Sequence, residues 1–245
     1  MDEFTLYLMS NSSKSYFPLN SPNKFTVKLE KAISLENYMD WELTILDMVY
    51  PSSICTLNGE QVTVLDNDGN VQSVFRYPSV QCRSLPELVA HLNSHGDQYF
   101  HFAMEQQRRI KLIVNAPYTI VFGQTLSDIL CMDRLNVPHH ATPIISNDTP
   151  SLTRLVDYLY VYTNIGQYVM VGDVKVPLLR YFPFTSSTST AIQSKTFMKR
   201  LYVGVNQSQI EHIEVSIRDG AGELVPFSDS NTTTQLTLQF RRCRH

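Results

Sequence analysis

Seven histidines, four cysteines and 23 carboxylates are the residues with which this chain could build a reactive or metal-binding site. Their spacing builds none of the familiar ones. There is no Gly-x-Ser-x-Gly elbow, no Walker loop, no Gly-x-Gly-x-x-Gly turn and no His-Glu-x-x-His pair. His139-His140 is the most metal-like pair, but adjacent residues on an extended chain point apart, and no Cys, Asp or Glu stands at ligand spacing. Asp66-Asn67-Asp68-Gly69 matches the start of a calcium loop, yet the later bidentate glutamate is missing, so the string reads as a turn. His91 and His212 have no partners in sequence. Arg108-Arg109 and the terminal FRRCRH are small basic clusters, better read as solvated strand ends than as phosphate contacts.

One aromatic pattern stands apart. Tyr158, Tyr160 and Tyr162 fall on one face of a strand, with Leu159 and Val161 on the other. Such a face stacks sugars in some sandwiches, and packs against a neighbouring subunit in others, because tyrosine joins an apolar body to a polar tip. Without a second sugar-binding feature, subunit packing is the favoured reading. The expectation is therefore a protein with no catalytic residues, no cofactor and no metal.

Composition agrees. The chain has 245 residues, 43% of them hydrophobic and 11% aromatic, enough for a large core. Charged residues make up 18%, below the usual quarter, which suits a surface that packs against other subunits. A net charge of −3 argues against a dedicated nucleic-acid binder. Met1 is followed by Asp2 and Glu3 instead of a basic and apolar leader, and no apolar run reaches membrane-spanning length. Cys55, Cys82, Cys131 and Cys243 show neither paired nor metal-ligand spacing, so free thiols in a reducing compartment are expected. The sequons at Asn11, Asn147, Asn206 and Asn231 are read as chance.

The elements that must carry these residues are mostly strands. Period-two alternation marks Phe4–Leu8, Phe25–Leu29 and WELTILDMVYP, where Leu46 and Met48 on the second face predict burial on both sides. Gln61 to Tyr77 reads as a hairpin with a tight Asp-Gly turn. The period then changes. Ser84, Pro86 and Glu87 open a helix with Leu85, Leu88, Val89 and Leu92 on one face, and Gly96 is expected to end it. FHFAM, RIKLIVN and YTIVFG return to strand, and TLSDILCM reads as a second helix capped by Thr125. Leu135 to Pro150, with three prolines, reads as a connector. After the tyrosine strand come YVMVGDVKVPLLRYFPF, a flexible TSSTSTAIQS segment, and three strands centred on Val203, Val215 and Leu238. Asp219 to Gly222 is turn material, and Pro226 marks an edge or a bulge. The whole predicts an all-β sandwich, residues 1–76 plus 133–245, with a small α+β insertion at 77–132.

Several blocks in order resemble the minor capsid, or penton, proteins of Polinton (Maverick) elements and adintoviruses. They are SNSSKSYFPLN, FTVKLEKAISL, WELTILDMVYP, the SLPELVAHLN helix, GDVKVPLLRYFPF and IRDGAGELVPF with LTLQFRR. Thr44 departs from that pattern, which has glycine there, and 136–150 matches no part of it. The resemblance implies a non-enzymatic single jelly-roll, with five copies filling each fivefold vertex of a double-stranded DNA virus or virus-like transposon. It also implies a double jelly-roll major capsid protein as neighbour, and a place in the virion after synthesis in the host cytoplasm or nucleus. A host receptor is a further partner if the insertion lies outward; no specific nucleic acid and no membrane span are expected. Two other classes stay open: a carbohydrate- or receptor-binding sandwich, and an enzyme on a jelly-roll scaffold, which would need clustered His and Glu ligands.

Overall fold

A computed structural model describes residues 2–132, 136–139, 142–153, 156–185, 191–228 and 231–243. The first strands are β1 (Glu3–Met9), β2 (Lys24–Ser34) and β3 (Trp41–Pro51). A mixed segment follows: β4 (Gln61–Leu65), β5 (Val71–Arg76), α1 (Leu85–Leu92), β6 (Phe100–Met104), β7 (Ile110–Val114) and β8 (Thr119–Phe122). It continues through α2 (Gln124–Leu130), β9 (Asn136–Pro138) and β10 (Ile144–Ile145). The chain then returns to strands: β11 (Tyr158–Thr163), β12 (Val169–Val171), β13 (Val174–Val176) and β14 (Leu178–Pro183). The last are β15 (Ile192–Thr196), β16 (Val203–Gly204), β17 (Gln209–Arg218) and β18 (Gln235–Arg242). Two compact units result, Met1–Ile54 with Val156–His245, and Cys55–Leu155.

The first unit is a jelly-roll. One sheet has the order β1-β18-β3-β15, with β16 also on β3; the other has β14-β11-β17-β2. All neighbours are antiparallel. Along the chain the strands pass back and forth between the two sheets, and the last lies between the first and third, the double Greek key of that fold. Alternation supplies the core: Leu236, Leu238 and Phe240 from β18 meet Ile213, Val215 and Ile217 from β17, all fully buried. Phe240 stacks on Phe4 at 4.6 Å between centroids. Strand β12 pairs only with β13, as a hairpin turning at Gly172, whose φ of 61° favours glycine.

The expected two-sided burial of β3 has a different cause. Leu238 pairs with Ile45 and Thr237 with Asp47, so Leu46 is the extra residue of a β-bulge. The bulge reverses the parity, and Met48 and Tyr50 join Leu43 and Ile45 in the same core. Thr44, on the other side, is buried with no partner for its hydroxyl among the described residues. Further along, Leu201 is exposed and only Val203 and Gly204 pair with β3. The TSSTSTAIQS segment is in part an ordered edge strand, since Ile192–Thr196 pairs with β3; residues 186–190 lie outside the described residues. Its side chains are mostly exposed, so it carries no period-two signal.

The second unit has its own core. Sheets β5-β4-β8-β9 and β10-β7-β6 are joined by α1 and α2 around Leu57, Val62, Leu88, Phe100, Phe102 and Ile120. The hairpin at 61–76, assigned to the sandwich by its periodicity, pairs with β8 here. The supposed connector at 135–150 supplies β9 and β10, and Pro138 is tolerated because β9 is an edge strand. On α1, the Ser84 hydroxyl accepts from the Glu87 amide at 3.4 Å, while the Glu87 carboxylate accepts from Arg83 at 2.7 Å. The helix stops at Asn93, before Gly96, because the Asn93 amide group clasps Phe102 through both its backbone N–H (2.8 Å) and its carbonyl (2.7 Å). Gly96 instead has φ of 90° and would push a Cβ to 2.6 Å from the Phe100 ring. Helix α2 begins at Gln124, right after β8, so Thr125 already lies within its first turn and Gly123 is the N-cap.

Tyr77 is fully buried in this unit and donates to the Leu92 carbonyl at 2.8 Å. Burial raises its pKa far above the ordinary 10.0. The folded state therefore holds the neutral phenol, and this stabilisation is complete below about pH 10 and lost as pH rises beyond it. Tyr77→Phe is expected to cost about 1 kcal/mol at neutral pH through the lost hydrogen bond. It should also make the alkaline fall in stability shallower, read by urea melts between pH 8 and 11; an unchanged alkaline slope counts against the assignment.

Candidate functional site

The tyrosine strand places its residues as the alternation requires. Leu159 and Val161 are buried in the sandwich, and Tyr158, Tyr160 and Tyr162 face away from it. Strand β14 adds a fourth ring, since Tyr181 is the cross-strand partner of Tyr160. Their centroids lie 5.8 Å apart with planes inclined by 20°, and Tyr158 tilts against Tyr181 at 6.3 Å. On the other flank β17 sets Arg218 opposite Tyr160 and Ser216 opposite Tyr162. The hairpin β12–β13 carries Tyr168 and Met170, 60% and 62% exposed.

Between the hairpin and the sheet runs an open groove of about 700 Å³, lined by Tyr160, Tyr162, Tyr168, Asp173, Glu214 and Arg218 among others. Its charged groups are largely occupied. Arg218 Nη1 donates to the Gly222 carbonyl at 2.6 Å, and Asp219 Oδ1 accepts from the amides of Ala221 and Glu223 at 3.0 and 2.9 Å. Glu214 meets Lys24 at 3.7 Å. Burial raises the Tyr162 pKa, so its hydroxyl remains a neutral donor at physiological pH. No histidine or cysteine lines the groove. Flat rings beside hydroxyl, amide and carboxylate groups can hold a partner or a ligand, and the walls hold no nucleophile paired with a base.

The other candidates from the sequence do not converge. His139 Nδ1 lies 2.6 Å from the Val114 carbonyl within the second unit, and His140 is outside the described residues. Asp66 accepts from the amides of Asp68 (2.9 Å) and Asn70 (2.8 Å) and from the side chains of Asn70 and Gln72. Those bonds, led by the Asn70 amide, hold its pKa below the ordinary range. The carboxylate organises a loop longer than the expected two-residue turn, with Gly69 at φ of 81°. Arg241 bonds Glu42 at 2.9 and 3.1 Å and covers the Tyr202 ring, and Arg242 meets Asp40 at 3.6 Å. Those two cations close the sandwich. Arg108 sits with positive φ at the tip between β6 and β7. None of the four cysteines is in a disulfide, and burial with Glu87 nearby pushes Cys82 up to about 11. Among the described residues no three His, Cys, Asp or Glu side chains are grouped to hold a metal, and no helix is long and apolar enough to cross a membrane.

Sequence reading found the three tyrosines of β11 but missed Tyr181 and Tyr168. Their roles depend on strand register and on a hairpin folding over the sheet. Among solved structures, the chain is similar to the mavirus penton protein, with 13% identity over 99% of this chain and 100% of that one, at a TM-score of 0.47. It is also similar to a chain in a cryo-EM structure of the Sputnik virophage, with 10% identity over 99% of this chain and 98% of that one, at a TM-score of 0.48. No family model and no curated protein sequence matches.

Proposed function

We propose that this chain is a structural capsid protein, the vertex subunit of a double-stranded DNA virus or virus-like transposon of the Polinton (Maverick) and adintovirus kind. The observation that carries the reading is the jelly-roll order of eight strands, counting β15 and β16 as one, with a separate unit between β3 and β11. Most of the sequence blocks that resemble penton proteins fall on or beside β2, β3, β14, β17 and β18 of that sandwich, and the SLPELVAHLN block is α1 of the second unit. Exposed apolar side chains fit a subunit that spends its life against others: Tyr168 and Met170 at the β12–β13 hairpin, Tyr181 on β14 and Tyr7 on β1. The subunit acts by shape and contact, without catalysis. Five copies form a ring through a heterologous contact, in which two different faces of the sandwich meet. A major capsid protein with a double jelly-roll surrounds the ring, and a host receptor is a further partner.

Native mass spectrometry at tens of micromolar is the test. A species at five times the 28.1 kDa chain mass is expected. A chain that stays monomeric and is also missing from particle vertices overturns the reading. The groove beneath the β12–β13 hairpin favours one second reading, a carbohydrate-binding sandwich, because stacked tyrosines border polar groups there. Saturable glycan binding by a monomer would favour it over the capsid role.

A further inference from the structure

Strand β14 is the outer strand of one sheet, and β15 is the outer strand of the other. Arg180 lies on β14 opposite Val161, which is fully buried. Cross-strand partners share a face, so the stem of Arg180 is directed inward at the rim of the sandwich. Alternation with Phe182, which pairs with the buried Leu159, gives the same facing, and a bulge beyond it leaves Leu179 as the extra residue. The guanidinium lies over the Phe197 ring at 4.5 Å. Its Nη1 is buried with no hydrogen-bond partner among the described residues. Around it, Tyr181, Phe182, Pro183, Lys195, Phe197 and Leu201 line an open, shallow pocket of about 290 Å³.

Charge along this stretch of the chain is one-sided, with Asp47 on β3 the nearest facing carboxylate, opposite Thr196. From Val174 to Ile210 the chain has five cations, Lys175, Arg180, Lys195, Lys199 and Arg200, and no carboxylate, although its net charge is −3. Desolvation lowers the Arg180 pKa with no carboxylate to oppose it. An inward charge on an outer strand can serve to discourage edge-to-edge pairing. Here Pro183 already ends that strand and Pro177 precedes it. A guard that reached water would have all its donors solvated, whereas Nη1 is shut off from solvent and has no partner among the described residues, an arrangement that costs stability until an acceptor arrives.

We propose that this pocket receives a carboxylate side chain from an acidic segment of a partner protein. Arg180 is the forked donor, Lys195 the second cation, and Phe182, Phe197 and Leu201 the apolar walls for the stem of the incoming residue. A nucleic-acid backbone would draw on the exposed Lys195, Lys199 and Arg200 but would leave the apolar walls unused. The inference does not depend on pentamer formation or on a vertex location.

The experiment uses the full chain and a fluorescent peptide alternating glutamate and valine, with its glutamine counterpart as control, read by anisotropy. The glutamate peptide should saturate and raise the melting temperature, and the glutamine peptide should bind at least about tenfold more weakly. Arg180→Met should lose about tenfold in affinity while melting no lower than the parent, because it removes a poorly solvated charge. Arg180→Lys keeps the charge without the fork; it should also weaken binding and guards against a folding failure of the first variant. Arg200→Gln, outside the pocket walls, should bind nearly as the parent does. Four results would each overturn the proposal: no saturation by the glutamate peptide, equal binding of the glutamine peptide, unchanged binding by a folded Arg180 variant, or a short DNA duplex binding as tightly with equal losses in Arg180→Met and Arg200→Gln.

Discussion

Deleting Thr234 to His245 is expected to abolish soluble folding, while deleting Cys243 to His245 leaves folding intact. Strand β18 pairs along its length with β1 on one side and β3 on the other, so its loss strands two rows of backbone donors and acceptors at once. It also removes Leu236, Leu238 and Phe240, whose burial contributes about 5–9 kcal/mol together. A whole domain has only about 5–15 kcal/mol in hand. The shorter deletion forfeits the bond from the Cys243 amide to the Asp40 carbonyl, worth about 1 kcal/mol. Phe240→Ala falls between the two, at about 3–5 kcal/mol, because it leaves a cavity beside Phe4. Thermal melting of both truncations decides the matter: a long truncation that melts like the parent chain would remove β18 from the core and sink the sandwich account.

Phe102→Ala is expected to cost about 3–5 kcal/mol, confined to residues 55–155. Phe102 is fully buried, meets Phe100 edge-on at 5.6 Å, and is clasped by Asn93. The two units hold separate apolar clusters that share no residue. We propose that they unfold separately. Hydrogen exchange read by mass spectrometry should show fast exchange across β6, β7 and α1 in the variant, with β17 and β18 as protected as before. Equal loss of protection in both units would mean a single cooperative block.

The strands that sequence reading placed well are those with one apolar and one polar face, even where, as at Thr237 and Gln239, the polar face is buried too. In β17 and β18, Ile213, Val215, Leu236 and Leu238 alternate without interruption, and helix α1 showed both its cap at Ser84 and its apolar stripe. What it missed depends on partners. An extra residue such as Leu46 or Leu179 is visible only once a second strand is laid beside the first, and each changes which later side chains face inward. Arg180 is hidden for another reason, because a charge within a strand reads as solvent-facing although it alternates with Phe182. The hairpin at 61–76 has the same alternation whichever sheet it joins, and β9 and β10 are too short to show any period. Of the candidate site, the tyrosines of β11 were legible, and the ring of Tyr181 stacked on them was not.

The position of β18 has a consequence for biosynthesis. The strand that must sit between β1 and β3 is the last of the sandwich to leave the ribosome, whereas residues 55–155 are complete much earlier. At about 5–20 residues per second, the stretch from Leu155 to Arg242 takes on the order of 5–20 s to make. Through that interval β1 and β3 are present without the strand that joins them, and their inward-facing side chains, Leu8, Leu43 and Ile45 among them, await a cover. The nascent chain thus carries an uncovered apolar face until its final strand emerges, and slower synthesis lengthens the time in which it can aggregate.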